Sequence, residues 1–240
     1  MITVREIERA TMTNAKRKEA HNNYFAFYIG RPLSYLLTIP FLYTNITPNT
    51  ITFISMILLM IGYLCFQFAN GKAWFFIGWI FFFLWNLFDG VDGNVARYKK
   101  QFSENGDLWD TTAGYMAMVT TFMAAGVCAA KTNSSILFQD DLYYILGAWT
   151  AIFSIFPRLV LHKKASSNLN SDSVHELRDK GSFSCIKIIA LNLISITGFL
   201  QLIWLICIIF DKCTFFILSY FFINLIIMVV SLYKLLKESK

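Results

Sequence analysis

Several stretches of about 20 residues in this chain carry no charged side chain, and about 20 apolar residues is what an α-helix needs to cross a bilayer's hydrocarbon. Residues 48–69, "PNTITFISMILLMIGYLCFQFA", are one such stretch. In lipid every backbone polar group must find its partner inside the protein, so runs of this kind fold as helices. A soluble bundle would leave them without the polar face its helices need. Composition agrees, because 15% of residues are charged against roughly 25% in a soluble domain. The chain therefore reads as an all-α integral membrane protein.

Hydropathy places six transmembrane helices, at about 48–69, 73–96, 107–130, 142–162, 187–210 and 214–234. Residues 48–240 form the six-span membrane domain, and 1–47 a cytosolic N-terminal segment followed by an interfacial helix. The segment 1–23 is polar, with no apolar core or small-residue cleavage site of a removable signal peptide. Residues 24–43, "YFAFYIGRPLSYLLTIPFLY", are apolar but carry Gly30, Arg31, Pro32 and Pro40. That pattern suits an interfacial or re-entrant helix better than a full span. Thr47 is placed to cap the first span, with Pro48 at its first helical position, where a missing N–H costs nothing. The connection 163–186 is polar and reads as partly helical. The many Phe and Trp residues are most simply lipid-facing or interfacial.

With the N-terminus inside, the outer connections carry only Lys72, Lys131 and Lys212, and the other 18 of the 21 Lys and Arg residues lie at the inner side. The positive-inside rule then sets the orientation. The net charge of +6 follows from topology and from attraction to anionic headgroups of membrane lipids, so no nucleic-acid partner is implied. Compact size and the absence of a targeting sequence fit a plasma (inner) membrane. The five cysteines, Cys65, Cys128, Cys185, Cys207 and Cys213, lack CxxC spacing and read as buried free thiols.

Four aspartates interrupt this apolar pattern in "WNLFDGVDGNVARYKKQFSENGDLWDTTAG", residues 85–114. If the second span continues one turn further, Asp89, Asp92, Gly93, Ala96 and Arg97 follow i, i+3, i+4, i+7, i+8 and share one face. Two carboxylates one turn apart suit a hard divalent cation. Gly93 and Ala96 leave room beside them, and Arg97 supplies a bidentate donor for phosphate. The next span opens on Gly106, Asp107 and Asp110. A connection of about ten residues brings the two helix ends together, so Asp110 can join Asp89 and Asp92 at one metal. Ionisable groups at a membrane boundary point to function. Arg158 near the inner end of the fourth span, and Asn192 in the fifth, are weaker candidates for acceptor contacts, while His162, beside Lys163 and Lys164, reads as interfacial. Each also has a plain structural reading, as a snorkelling, interfacial or helix-pairing residue.

Asp89-x-x-Asp92-Gly93-x-x-Ala96-Arg97, eight residues, then Gly106-x-x-x-Asp110, resembles the signature of the CDP-alcohol phosphatidyltransferases. That signature spans the second and third of six helices, and "ITPNTIT" (46–52) is similar to the family's usual start of the first span. The resemblance implies a CDP-linked lipid or alcohol donor whose diphosphate sits on Mg²⁺ or Mn²⁺. It also implies attack by an alcohol or phosphorylated acceptor, release of CMP and a homodimer; the cytosol-facing side of the site follows from the charge asymmetry above. On the matching positions, Asp89, Asp92 and Asp110 become metal ligands, and Gly93, Ala96, Arg97 and Gly106 line the CDP moiety.

One position departs. The family pattern has a fourth aspartate four residues after Asp110, where this chain has Gly114. Three readings stand. Asp107, or less well Tyr115, replaces the missing base toward the acceptor. Alternatively, the acceptor attacks through an oxygen that is already anionic and needs no base. In the third, turnover is lost and the fold only binds nucleotide or lipid. An ion-coupled transporter is a poorer fit, because transporters place such acids near the midplane of repeated halves, and no repeat is present. A UbiA-like prenyltransferase is also poorer. It needs a second acidic motif, which Asp172, Glu176 and Asp179 do not form.

The topology is directly testable. In a cysteine-free background, Glu104→Cys is expected to react with a membrane-impermeant maleimide only when the inner face is opened. Lys212→Cys is expected to react in intact cells. The reverse pattern inverts the orientation.

Overall fold

The computed structural model describes residues 2–132, 139–166 and 185–237. Among them, every regular element is helical: α1 (Val4–Thr11), α2 (Asn14–His21), a wide π turn (Ala26–Gly30), α3 (Arg31–Leu42), α4 (Pro48–Gln67), α5 (Lys72–Lys99), α6 (Gly106–Thr132), α7 (Asp140–Ser166), α8 (Cys185–Ile194), α9 (Phe199–Ile209) and α10 (Cys213–Lys237). Five, α4 to α7 and α10, are long and apolar enough to cross a membrane, or six if α8 and α9 count as one bent span.

α4 begins as its local residues dictate. The Thr47 hydroxyl accepts from the Thr50 N–H at 3.3 Å, with Pro48 at the first helical position. α4 packs against both α5 and α6, while α5 and α6 meet each other far less. α6 then packs on α7, and α10 on both. At the far end from the acidic motif, Lys131 donates to the last residue of α4, Gln67 O at 2.6 Å, and to Ala69 O just beyond it at 3.1 Å. Lys72 pairs with Asp211 at 2.8 Å.

The structure revises several expectations. The fifth span is not straight: α8 and α9 meet at 52° across Ser195–Gly198. Hydropathy averages over such a break, because an apolar run remains apolar when it bends. Asn192 is used structurally, accepting from the Tyr24 N–H at 2.8 Å and donating to Asn22 O at 2.7 Å. Residues 24–42 form one continuous helical path despite Gly30 and Pro32. Arg31 N–H reaches back five residues to Ala26 O, and this wider turn accommodates the proline that follows. α5 runs to Lys99, so its connection to α6 is shorter than expected. α7 continues to Ser166, taking in the start of the expected 163–186 connection. The rest of that connection, with Asp172, Glu176 and Asp179, lies outside the described residues, as does the Cys185 side chain. Cys65, Cys128, Cys207 and Cys213 are free thiols.

Not all aromatics face outward. Phe66, Phe82, Trp85, Phe122 and Trp204 are fully buried. Phe66 stacks on Trp204 with ring centroids 4.9 Å apart, a geometry that adds to the packing gain of burial. Phe53, Phe68, Trp149 and Phe222 do remain exposed. Nor is the N-terminal segment a loose tail. Ile7 on α1 is completely buried, and α1 packs on α3 and α5.

α6 and α7 cross where glycine faces glycine. A Cβ added at Gly126 would lie 2.6 Å from Tyr143 O and 3.0 Å from Gly147 Cα, both backbone atoms. Small residues at such crossings let helix backbones approach closely. Gly126→Ala is therefore expected to destabilise the protein by about 1–3 kcal/mol through overpacking, read as a lower thermal midpoint in detergent. Gly71→Ala, whose added Cβ meets nothing within 4 Å, is the control expected to leave it unchanged.

Candidate functional site

The divergence of α5 and α6 leaves a cavity of about 510 Å³ at the acidic end of the bundle. Asp89, Asp92, Gly93, Ala96 and Arg97 reach it from α5, and Gly106, Asp107 and Asp110 from the first turns of α6. The seven residues of the motif, and Asp107 with them, thus line one space. The helical spacing accounts for the α5 set, since residues three and four apart lie on one face. The set on α6 is brought opposite by the short turn Lys100–Asn105. That turn is pinned to α4, with Ser103 donating to Asn49 Oδ1 at 3.1 Å and Asn49 Nδ2 to Ser103 Oγ at 3.0 Å.

Asp92 is buried and oriented. Its Oδ2 accepts from the Thr52 hydroxyl at 2.6 Å and its Oδ1 from the Gly93 N–H at 2.5 Å. α3 closes the space behind. A Cβ at Gly90 would lie 2.8 Å from Ser34 Oγ, so glycine permits this approach of α3 to α5. Asn94 then donates to Ser34 Oγ at 3.4 Å and Thr38 Oγ1 at 3.2 Å. Lys99 anchors the end of α5 by donating to the carbonyls of Phe41, at 2.9 Å, and Thr44, at 2.6 Å. The Arg97 guanidinium lies across Gly93, where a Cβ would come within 2.8 Å of its Nη2.

Sequence reasoning missed part of the lining. Lys16, Arg31, Asn49, Thr52, Asn86 and Thr197 also face the cavity. Thr52 carried a signal, because "TPNTIT" places it one turn into α4. Thr197 carried none, since it arrives only through the bend between α8 and α9. Arg158, Tyr115 and His162 lie outside the lining. The Tyr115 hydroxyl hydrogen-bonds His162 Nδ1 at 2.8 Å, and Arg158 is within electrostatic range of Asp89 and Tyr115. At Gly114 an added Cβ meets nothing within 4 Å, so the position of the missing fourth aspartate is open.

The donor set can be tested for a metal. Among the described residues, no three His, Cys, Asp or Glu side chains form a ready-made metal cluster. The chemistry of the cavity nevertheless fits a hard divalent ion. Its candidate ligands are carboxylate oxygens, with the Thr52 hydroxyl orienting one of them, and among the described residues no imidazole or thiolate faces it.

Residues 45–233 match the family model of the CDP-alcohol phosphatidyltransferases. The chain belongs to that family. Its members transfer a phosphoalcohol group from a CDP-alcohol to an alcohol acceptor in phospholipid biosynthesis, with divalent ions such as Mg²⁺ or Mn²⁺. Comparison with curated proteins finds no match. The match takes in α4 to α9 and most of α10, and leaves α1, α2 and α3 outside it.

Proposed function

We propose that this chain moves a phosphoalcohol (phosphatidyl-type) group from a CDP-linked donor to an acceptor hydroxyl, releasing CMP, at the cavity between α5 and α6. The observation that carries this reading is that one cavity is lined by all seven residues of the motif, with Asp107 beside them. Asp89, Asp92 and Asp110 would hold the divalent ion, which when bound neutralises charge on the donor's diphosphate. Gly93, Ala96 and Gly106 offer small surfaces against which the nucleotide can lie closely. Arg97 faces the diphosphate with a planar fork of donors.

The acceptor oxygen bonds to the β-phosphorus of the donor. The bond from that phosphorus to the bridging oxygen breaks, and CMP leaves with the electron pair. The hydroxyl proton needs an acceptor, which Gly114 does not supply. Among the described residues Asp107 is the remaining carboxylate facing the cavity, and we assign it this role. A general base within hydrogen-bond reach of the attacking group typically contributes 10²–10⁴-fold, so its loss is felt in turnover more than in binding. We further propose a cytosol-facing site in the plasma (inner) membrane, on the charge asymmetry above, and a homodimer, on the family resemblance.

The experiment adds CDP-diacylglycerol or other CDP-alcohols, Mn²⁺ and candidate acceptors to purified protein and measures CMP release. Asp89→Asn and Asp110→Asn are expected to abolish both CDP binding and CMP release. Asp107→Asn is expected to keep CDP binding while losing about 10²-fold or more in rate, and Gly114→Asp in that background to restore part of it. Wild-type protein that binds CDP yet releases no CMP with any acceptor would make this a binding member of the family. Failure to bind CDP at all would sink the donor assignment.

A further inference from the structure

The helices that precede the family match bring cations to the same cavity. Lys16 comes from α2 and Arg31 from the start of α3, and both line it together with Arg97 of α5. None of the three forms an ion pair among the described residues, where the ion pairs are Arg17–Glu8 and Lys72–Asp211. Arg97 Nε is buried without a hydrogen-bond partner, and its Nη2 makes a long contact of 3.4 Å to Asn94 Oδ1. A buried donor left unpaired is costly, and more so on a charged group.

The placement of Lys16 is built rather than incidental. Arg17, next to it, pairs with Glu8 and ties α2 to α1, which is docked through the buried Ile7. Just after α2, Asn23 Nδ2 donates to Ser195 Oγ at 3.2 Å, and the Tyr24 N–H donates to Asn192. The N-terminal segment is thus fastened to the bend between α8 and α9, and Lys16 is held in the cavity lining. Burial, and after it the like charges of Arg97 and Arg31, push the Lys16 ammonium down to about 8, against weaker opposing pulls from Asp110 and Glu19. The carboxylates of Asp92 and Asp110 offset part of the repulsion among the three cations, and a bound anion would offset more of it.

We infer that Lys16 and Arg31, from outside the matched region, complete with Arg97 an anion subsite that grips the diphosphate of the bound donor. This inference rests on the CDP-donor reading above. The cavity would then carry groups of both signs: the carboxylates of Asp89, Asp92, Asp107 and Asp110 for the metal, and the three cations for the diphosphate. The N-terminal segment becomes part of the binding machinery, and its role is to hold charge on the donor rather than to move a proton.

The test uses full-length protein in detergent, with CDP, cytidine and inorganic pyrophosphate as probes and Mn²⁺ held constant. Lys16→Met and Arg31→Met are each expected to weaken CDP and pyrophosphate binding about tenfold or more, while cytidine binding is unchanged. Lys16→Arg is expected to retain CDP affinity. The thermal midpoint of the free Lys16→Met protein should hold or rise, since a repelled charge is removed. A residue that merely supports the fold would lower it.

The pH dependence has a defined sign. The ammonium is charged below its pKa, so its contribution to CDP affinity is complete below about pH 8 and is lost as pH rises beyond it. Lys16→Arg, which stays charged, is expected to flatten that decline. If wild-type protein fails to bind CDP, the donor reading itself falls. If it binds CDP and both methionine variants bind equally well, the anion subsite falls and the donor reading stands.

Discussion

The packing of α4 between α5 and α6 sets the geometry on which the acidic end of the molecule depends. Two adjacent helices joined by the short turn Lys100–Asn105 would ordinarily pack along their length. Here α4 contacts both, and they diverge. The space left between their ends is the cavity. The same helix that creates it also furnishes it, since Thr52 orients Asp92 and Asn49 pins the turn through Ser103. The site is therefore a product of the core packing, with few residues held by loops alone.

A second constraint acts from the other side. The bend at Ser195–Gly198 exposes backbone and hydroxyl groups inside an otherwise apolar run, and those groups need partners. Asn23, Asn86 and Tyr24 bond to the bend and its flanking turn, Asn86 Nδ2 reaching Thr197 O at 3.5 Å. Satisfying the break thus fastens the N-terminal segment to the bundle and carries Thr197 to the cavity. One irregularity in a hydrophobic helix positions elements more than 150 residues apart in sequence, the Asn23–Ser195 separation being 172.

Much of this was legible in the chain itself, for reasons that can be stated residue by residue. Thr47 and Pro48 announce a helix start through contacts within one turn. Asp89, Asp92, Gly93, Ala96 and Arg97 announce a face, because helical periodicity depends only on local geometry. What could not be read is equally specific. The bend in the fifth span leaves hydropathy unchanged. Phe66 and Trp204 carry no mark distinguishing a core aromatic from a lipid-facing one, since both environments are apolar. Lys16 looks like one of many basic residues in a polar segment, and its place at the cavity depends on contacts of its segment with α1, the π turn and the α8–α9 bend.

The sequence by itself determined that the chain is helical and membrane-embedded, and which residues of the motif share a face. Those properties follow from hydrogen-bond satisfaction in lipid and from a period of 3.6 residues, both of which are local. The tertiary structure alone decided that α4 parts the two helices to leave a cavity where the motif's halves meet, that Gly114 stands open, and that Lys16 and Arg31 from outside the family match line the same cavity. Each of these depends on how distant helices pack, which no local pattern encodes.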